Sequence, residues 1–404
     1  MPKNEDIVDQ VSRLSIFKIA NVVLKKLDNF GADSNLLLFI NAALSIICAL
    51  SLSVWMYAFF PLEEKLFFFF IWVLLSITGA YFFGWISDKG SRKRFLLLTQ
   101  FLGVIGIWIL KKYGFNIPTI MALSFLYNPT PIVNAILITF NQKYNYKTSK
   151  GKKIDQHKNP KIIAFSVLCQ AFPWLFFGKV QGFGLDNSLN IIYWFSIATF
   201  FSIVFSLKEP KSVIDRKAIN HKKLIFSSIS LLVAFLFAES VYFISALVFK
   251  SDTFFILAGA GVTTGALVHF LPHKDYHLSY PTLISSSYFL GGLLMFLGVL
   301  GGYLMGNAAA IKVFVGIIAC IGAIYIPLVY SRLFQLFDSK KLGEASGICE
   351  GVQGIASVFA PVILEIIKDF HLSFYLIGIL LGLLFFIAFF INLFSVKRVH
   401  GQQV

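Results

Sequence analysis

Long apolar runs separated by short polar stretches recur from residue 36 to residue 395 of this 404-residue chain. A helix needs roughly 20 apolar residues to cross about 30 Å of hydrocarbon. Measured against that length, the runs predict twelve spans: 36–60, 65–87, 95–110, 118–140, 162–181, 189–207, 224–249, 254–271, 281–304, 309–331, 345–367 and 372–395. The third and sixth are short. The expected class is therefore an all-α integral membrane protein with its helices in two bundles of six.

The polar stretches set an orientation. With both termini on the cytoplasmic side, 28 of the 35 Lys and Arg residues fall in cytoplasmic segments, as the positive-inside bias requires. The stretch 208–223 holds Lys208, Lys211, Arg216, Lys217, Lys222 and Lys223. It divides the chain into a bundle at 36–207 and another at 224–396, followed by a tail at 397–404. Two six-helix bundles joined by a basic linker are a common layout of alternating-access transporters. Within 1–35, Val8, Val11, Leu14, Phe17 and Val22 are mixed with Arg13, Lys18, Lys25 and Lys26. That mixture fits a helix lying on anionic lipid, or equally a loosely ordered tail.

Composition agrees. Hydrophobic residues make up 57% of the chain and charged residues 14%, a balance suited to lipid rather than water. A net charge of +15 raises the question of nucleic acid. The basic residues, however, are scattered through short loops and form no single face, so nucleic-acid binding is not expected. Cys48, Cys169, Cys320 and Cys349 lie inside apolar runs without zinc or redox spacing. No cofactor and no signal peptide are expected.

The second and third spans are joined by Gly84-Trp-Ile-Ser-Asp88-Lys89-Gly90-Ser91-Arg92-Lys93-Arg94. This resembles the signature loop of the major facilitator superfamily at Gly84, Asp88, Lys89, Arg92 and Lys93, with Ser91 standing where the family usually has Gly. Gly84 suits a close helix approach. Asp88 can pair with Arg92 or accept from a neighbouring helix N-terminus. The resemblance implies that this cluster latches the inner gate in the outward-open state. A fainter copy, Gly265, His269, His273 and Lys274, repeats the offsets in the second half and supports a six-plus-six repeat.

An ionisable residue at mid-membrane is costly, about 2.5–3.5 kcal/mol on insertion scales. Glu239, in the seventh span, is the clearest case and is expected to bind a proton or cation; a structural carboxyl bonded across helices is the alternative. Glu350, shallower in the eleventh span with Gln353 on the same side, is a second candidate for coupling or for an inner-gate contact, with a structural carboxyl as the equal alternative. The fourth span carries Tyr127, Asn128, Pro129, Pro131 and Asn134, a broken stretch suited to a cavity wall. Asn41, Gln170, Trp174, Tyr242, Tyr325 and Tyr330 complete the candidate cavity. The resemblance places the first, fourth, seventh and tenth spans around such a cavity. His269, His273 and His277 recur at every fourth residue, but Pro272 points to a span running into a loop. No metal site is assigned.

The expected function is secondary active transport of a small organic solute across a bacterial inner membrane, proton-coupled, with uptake favoured. The partners are then the substrate, a proton or other coupling cation and lipid, and the carrier is expected to be a monomer. With no Lys or Arg expected at the centre of the cavity, a neutral, zwitterionic or cationic solute is favoured. The fourth span lacks the Arg of many proton-driven members, and the fifth lacks the Gly-x-x-x-Gly-Pro pattern of drug antiporters. An exporter of a drug or siderophore-like metabolite is the alternative, ahead of a metal transporter or a membrane sensor. Protease, hydrolase-elbow and P-loop motifs are absent, so no enzyme is expected.

Overall fold

In a computed structural model the described residues are 35–59, 65–114, 116–148, 159–175, 184–210, 252–270, 308–334, 337 and 339–369. To these are added short helical pieces at 228–229, 232, 289–294, 296–297, 300, 379, 382–383, 386–387 and 389–390. The segment 1–34, most of the basic linker, and Glu239, Tyr242, His273 and His277 lie outside the described residues.

Ten helices carry the described chain. They are α1 Asn35–Phe59, α2 Lys65–Ser87, α3 Arg92–Tyr113, α4 Ile117–Leu126, α5 Thr130–Thr148, α6 Asn159–Leu175 and α7 Leu185–Ser206, then α8 Asp252–Val268, α9 Ala308–Phe334 and α10 Leu342–Asp369. No strand occurs among the described residues. Among the described residues, four stretches are apolar and long enough to cross a membrane: Leu36–Ser53, Arg92–Tyr113, Ile117–Asn141 and Leu185–Ser206. The third and sixth spans, short by hydropathy, are full-length helices of 22 residues each, about 33 Å at 1.5 Å per residue. Hydropathy misses the start of α3 because Arg92, Lys93 and Arg94 form its first turn, which Ser91 caps.

The fourth span is two helices. Pro129 has no N–H and disfavours helical geometry at Asn128, so α4 stops at Leu126 and α5 starts at Thr130. The break frees backbone groups inside the bundle, and α3 satisfies them with one side chain. Thr99 Oγ1 donates to the Leu126 carbonyl at 2.6 Å and accepts from the Asn128 N–H at 2.9 Å. The Asn128 amide donates to Ser124 O at 2.7 Å and Phe125 O at 3.0 Å. Thr99→Val keeps the shape and removes both bonds, leaving two buried backbone groups unmet. It is expected to destabilise the protein by about 2–4 kcal/mol, read as a lower melting temperature in detergent. An unchanged melt would show that the break is satisfied by other means.

The buried hydrophobic residues described form two cores. At the end bearing Asp88, one core joins Leu38, Ala42, Ile46, Phe83, Leu96, Ile132, Val133 and Ala135–Ile138 to Tyr330, Leu333, Phe334, Phe337, Leu342, Ala345 and Cys349. It therefore draws on helices from both halves of the chain. The second described core (Cys48, Leu52, Trp55, Ile107, Leu110, Ile120, Leu123, Tyr127, Leu189 and Ile192) comes from α1, α3, α4, α7 and the residue after α4. Exposed Leu98, Phe101, Ile105 and Trp108 on α3, with Ile191, Trp194, Phe201 and Phe205 on α7, form apolar outer stripes of the kind that lipid covers.

The halves approach most closely where side chains are smallest. A Cβ on Gly84 of α2 would overlap the Gly343 carbonyl of α10, and one on Gly343 would overlap the Gly84 carbonyl. Gly347 meets the backbone of Ala80 and Tyr81, and Gly354 meets Ile77. On the other side of the pair, Gly259 of α8 packs against Leu175 of α6. Small residues allow this backbone proximity in lipid, where dispersion rather than water drives helix pairing.

Candidate functional site

The loop between α2 and α3 gathers its charged residues against the second half of the chain. α2 ends with Ser87 Oγ donating back to the Gly84 carbonyl at 2.7 Å. Asp88 then turns towards the N-terminus of α10. Its Oδ1 accepts from the Gly343 N–H at 2.9 Å and its Oδ2 from the Glu344 N–H at 2.8 Å. These are first-turn donors of α10 that no helical carbonyl can satisfy, at the positive end of the helix dipole. Arg92 completes the clamp, with Nη2 2.8 Å and Nε 3.3 Å from Asp88 Oδ1. Its Nη1 donates to Thr139 Oγ1 of α5 at 2.6 Å. One carboxylate thus ties α2, α3 and α10 together, and Arg92 adds α5. Burial holds the Asp88 carboxyl above the usual carboxylate range, while Arg92 and the two backbone donors act in the opposite direction.

The neighbouring cations differ in environment. Arg92 and Lys93 are buried, at 6% and 0% exposure. Lys93 Nζ donates to the Val204 carbonyl at 3.2 Å, in the last turn of α7, where the helix dipole favours a cation. Lys89 is exposed and sits 3.3 Å from the centre of the Trp85 ring.

Ser91, the departure from the family loop, is the N-cap of α3 and accepts from the Arg94 N–H at 3.4 Å. Its hydroxyl donates to Glu209 Oε2 at 2.7 Å. The Arg92 and Lys93 N–H groups also donate to the Glu209 carboxylate, at 3.0 and 3.2 Å. Glu209 was not among the sequence candidates. The available signal was an acid followed by Pro210, at the end of the sixth apolar run and the head of a basic stretch.

The other candidates separate into two groups. Asn41 donates to Leu37 O and to Ser206 Oγ of α7, both at 2.7 Å. The Tyr127 hydroxyl donates to Gln100 Oε1 of α3 at 3.2 Å. Together with Asn128, these residues bond to partners inside the first half. Nearer the junction of the halves, Asn134 is buried, and its Oδ1 has no hydrogen-bond partner among the described residues. Gln170 and Gln353 are half-buried. Tyr330 stacks on Phe334 at 6.3 Å between ring centres and lies within electrostatic reach of Glu350. Glu350 is half-buried, with Oε1 buried and without a partner among the described residues. The side chains of Trp174 and Tyr325 lie outside the described residues.

His269 is buried at the end of α8, its Nε2 2.8 Å from the Ile324 carbonyl of α9, three residues before Pro327. No group of three or more His, Cys, Asp and Glu suited to a metal occurs among the described residues. The echo residue Gly265 packs against the Cys320 carbonyl of α9. That approach is within the second half, whereas Gly84 acts between the halves.

No protein-family model matches the chain, and no curated protein matches it in sequence. In three dimensions it is similar to the human organic anion transporter MFSD10 (TETRAN), with a TM-score of 0.68 at 12% identity, covering 89% of this chain and 100% of that one. It is also similar to a bacterial homologue of the iron transporter ferroportin in its outward-facing state, with a TM-score of 0.65 at 12% identity, covering 90% of this chain and 99% of that one. The chain has the fold of the major facilitator transporters.

Proposed function

We propose that this protein is a secondary transporter that moves a small organic solute across a bacterial inner membrane by alternating access, drawn here with its cytoplasmic gate closed. The observation that carries the reading is the Asp88 clamp. A carboxylate just after α2 holds the first-turn N–H groups of α10 beside a Gly84–Gly343 contact that admits no side chain. That joint is strong in one geometry and lost with a small separation, as a gate contact must be. The basic loops orient the Asp88 end towards the cytoplasm, with twelve spans and both termini inside.

Transport is proton-coupled in this reading, with Glu239 and Glu350 as the groups that take up and release the proton. Uptake is favoured over export. Organic anions and iron belong to the two similar structures by their own descriptions. For this chain, the lack of a central Lys or Arg in the sequence favours a neutral, zwitterionic or cationic cargo.

The test is proton flux in proteoliposomes loaded with a pH dye, with a broad panel of small solutes. A solute that moves protons with the wild type and fails to do so with Glu239→Gln identifies both cargo and coupling group. Proton flux undiminished in Glu239→Gln would remove Glu239 from the mechanism. Silence of folded wild-type protein across the panel would count against proton-coupled transport.

A further inference from the structure

Glu350 stands on the same stripe of α10 that makes the close contact with α2. Gly343, Gly347 and Gly354 all face α2 backbone or Ile77. Glu350 follows Gly347 by three residues and precedes Gly354 by four, spacings that put it on the same helix face. It lies seven residues from Gly343, about 10 Å along the helix from the Asp88 clamp. Its Oε1 is buried, with no hydrogen-bond partner among the described residues. An ionised carboxylate is strongly disfavoured in that setting, and the neutral acid much less so.

The described groups that face Glu350 supply no charge to offset this, and the side chain of Arg332 on α9 lies outside the described residues. Among the described residues, α2 offers Tyr81 and, at its end, Asp88. α9 offers Tyr330, and α10 itself has Cys349 and Glu344. The described side chains of α5 include no titratable group, and Lys340 and Lys341 are exposed before the start of α10.

We infer that Glu350 is a proton-operated element of the α2–α10 seam: the helices close over its neutral acid, and their parting lets water take the proton. The inference rests on the proposed reading of the Asp88 end as a gate. It deepens that reading by placing proton site and latch on one helix, so that a single movement of α10 changes both. The chemistry is the making and breaking of one O–H bond on the carboxyl, with water as donor and acceptor.

The experiment is a distance measurement across the Asp88 end. Spin labels are placed at the exposed Lys161 and Lys340 of the full-length protein in lipid. For wild type, the open-to-closed ratio is expected to rise with pH, approaching about tenfold per pH unit for one linked proton. Glu350→Gln is expected to stay closed and to lose that dependence. Asp88 titrates at the same seam, so the comparison is repeated in an Asp88→Asn background, where the response should again vanish with Glu350→Gln. An Asp88→Asn protein whose pH response survives Glu350→Gln overturns the inference. If Glu350→Gln does not fold, Glu350→Asp takes its place; a pH response displaced along the axis supports the inference and an undisplaced one overturns it. Asp88→Ala separates the two layers. If it leaves the distances unchanged, the gate reading fails; if it opens the end while Glu350→Gln keeps the wild-type pH profile, only the proton inference fails.

Discussion

Asp88→Ala is expected to open the Asp88 end, shifting the closed-to-open equilibrium by about 2–3 kcal/mol, or about 30- to 150-fold. Two effects add. The N–H groups of Gly343 and Glu344 lose their acceptor, and Arg92 is left buried without its carboxylate. Asp88→Asn keeps an acceptor oxygen but does not neutralise Arg92, so its shift should be smaller. Cys349 is a native reporter, since it is a free thiol fully buried in the core that both halves share. Its labelling by a small maleimide, followed by peptide mass spectrometry, should accelerate in Asp88→Ala. An unchanged rate would mean that Asp88 does not hold this end shut.

Gly84→Val should have a comparably large effect by a different route. The added atoms would occupy the space of the Gly343 carbonyl, and backbone yields far less readily than a side-chain tip. The expected cost to the closed arrangement is about 3 kcal/mol, seen as faster Cys349 labelling together with a lower melting temperature. Gly351→Ala is the contrasting substitution on the same helix. A Cβ there would sit 3.6 Å from Ile77, an ordinary contact, and alanine favours the helix. It should be neutral or slightly stabilising. Equal losses at Gly84 and Gly351 would show that the seam responds to any substitution and that backbone proximity is not its cause.

These substitutions mark what the sequence could and could not disclose. Hydropathy located the apolar runs because lipid exposure demands them, and Asp88 and Arg92 were legible through the resemblance of their loop to a family signature. Glu209 was not legible, since its three donors on Ser91, Arg92 and Lys93 are more than 110 residues away along the chain. The same limit applied to the intramembrane amides. A polar residue in an apolar run must find a partner, but its identity does not say whether that partner lies within its own bundle or across a cavity. Asn41 and Tyr127 found theirs sideways, on Ser206 and Gln100. Glu350 could be named from its cost in the membrane, whereas its place on the Gly347–Gly354 stripe required knowing which face of α10 meets α2.

The Thr99 hydroxyl also bears on how the protein is made. The hinge between α4 and α5 exposes a carbonyl and an N–H that lipid cannot satisfy, and the group that satisfies both belongs to the preceding helix. A nascent chain that released α4 and α5 into the bilayer ahead of α3 would strand those groups in hydrocarbon. The broken helix is therefore complete only when packed against α3, and residues 92–148 form one hydrogen-bonded unit in lipid.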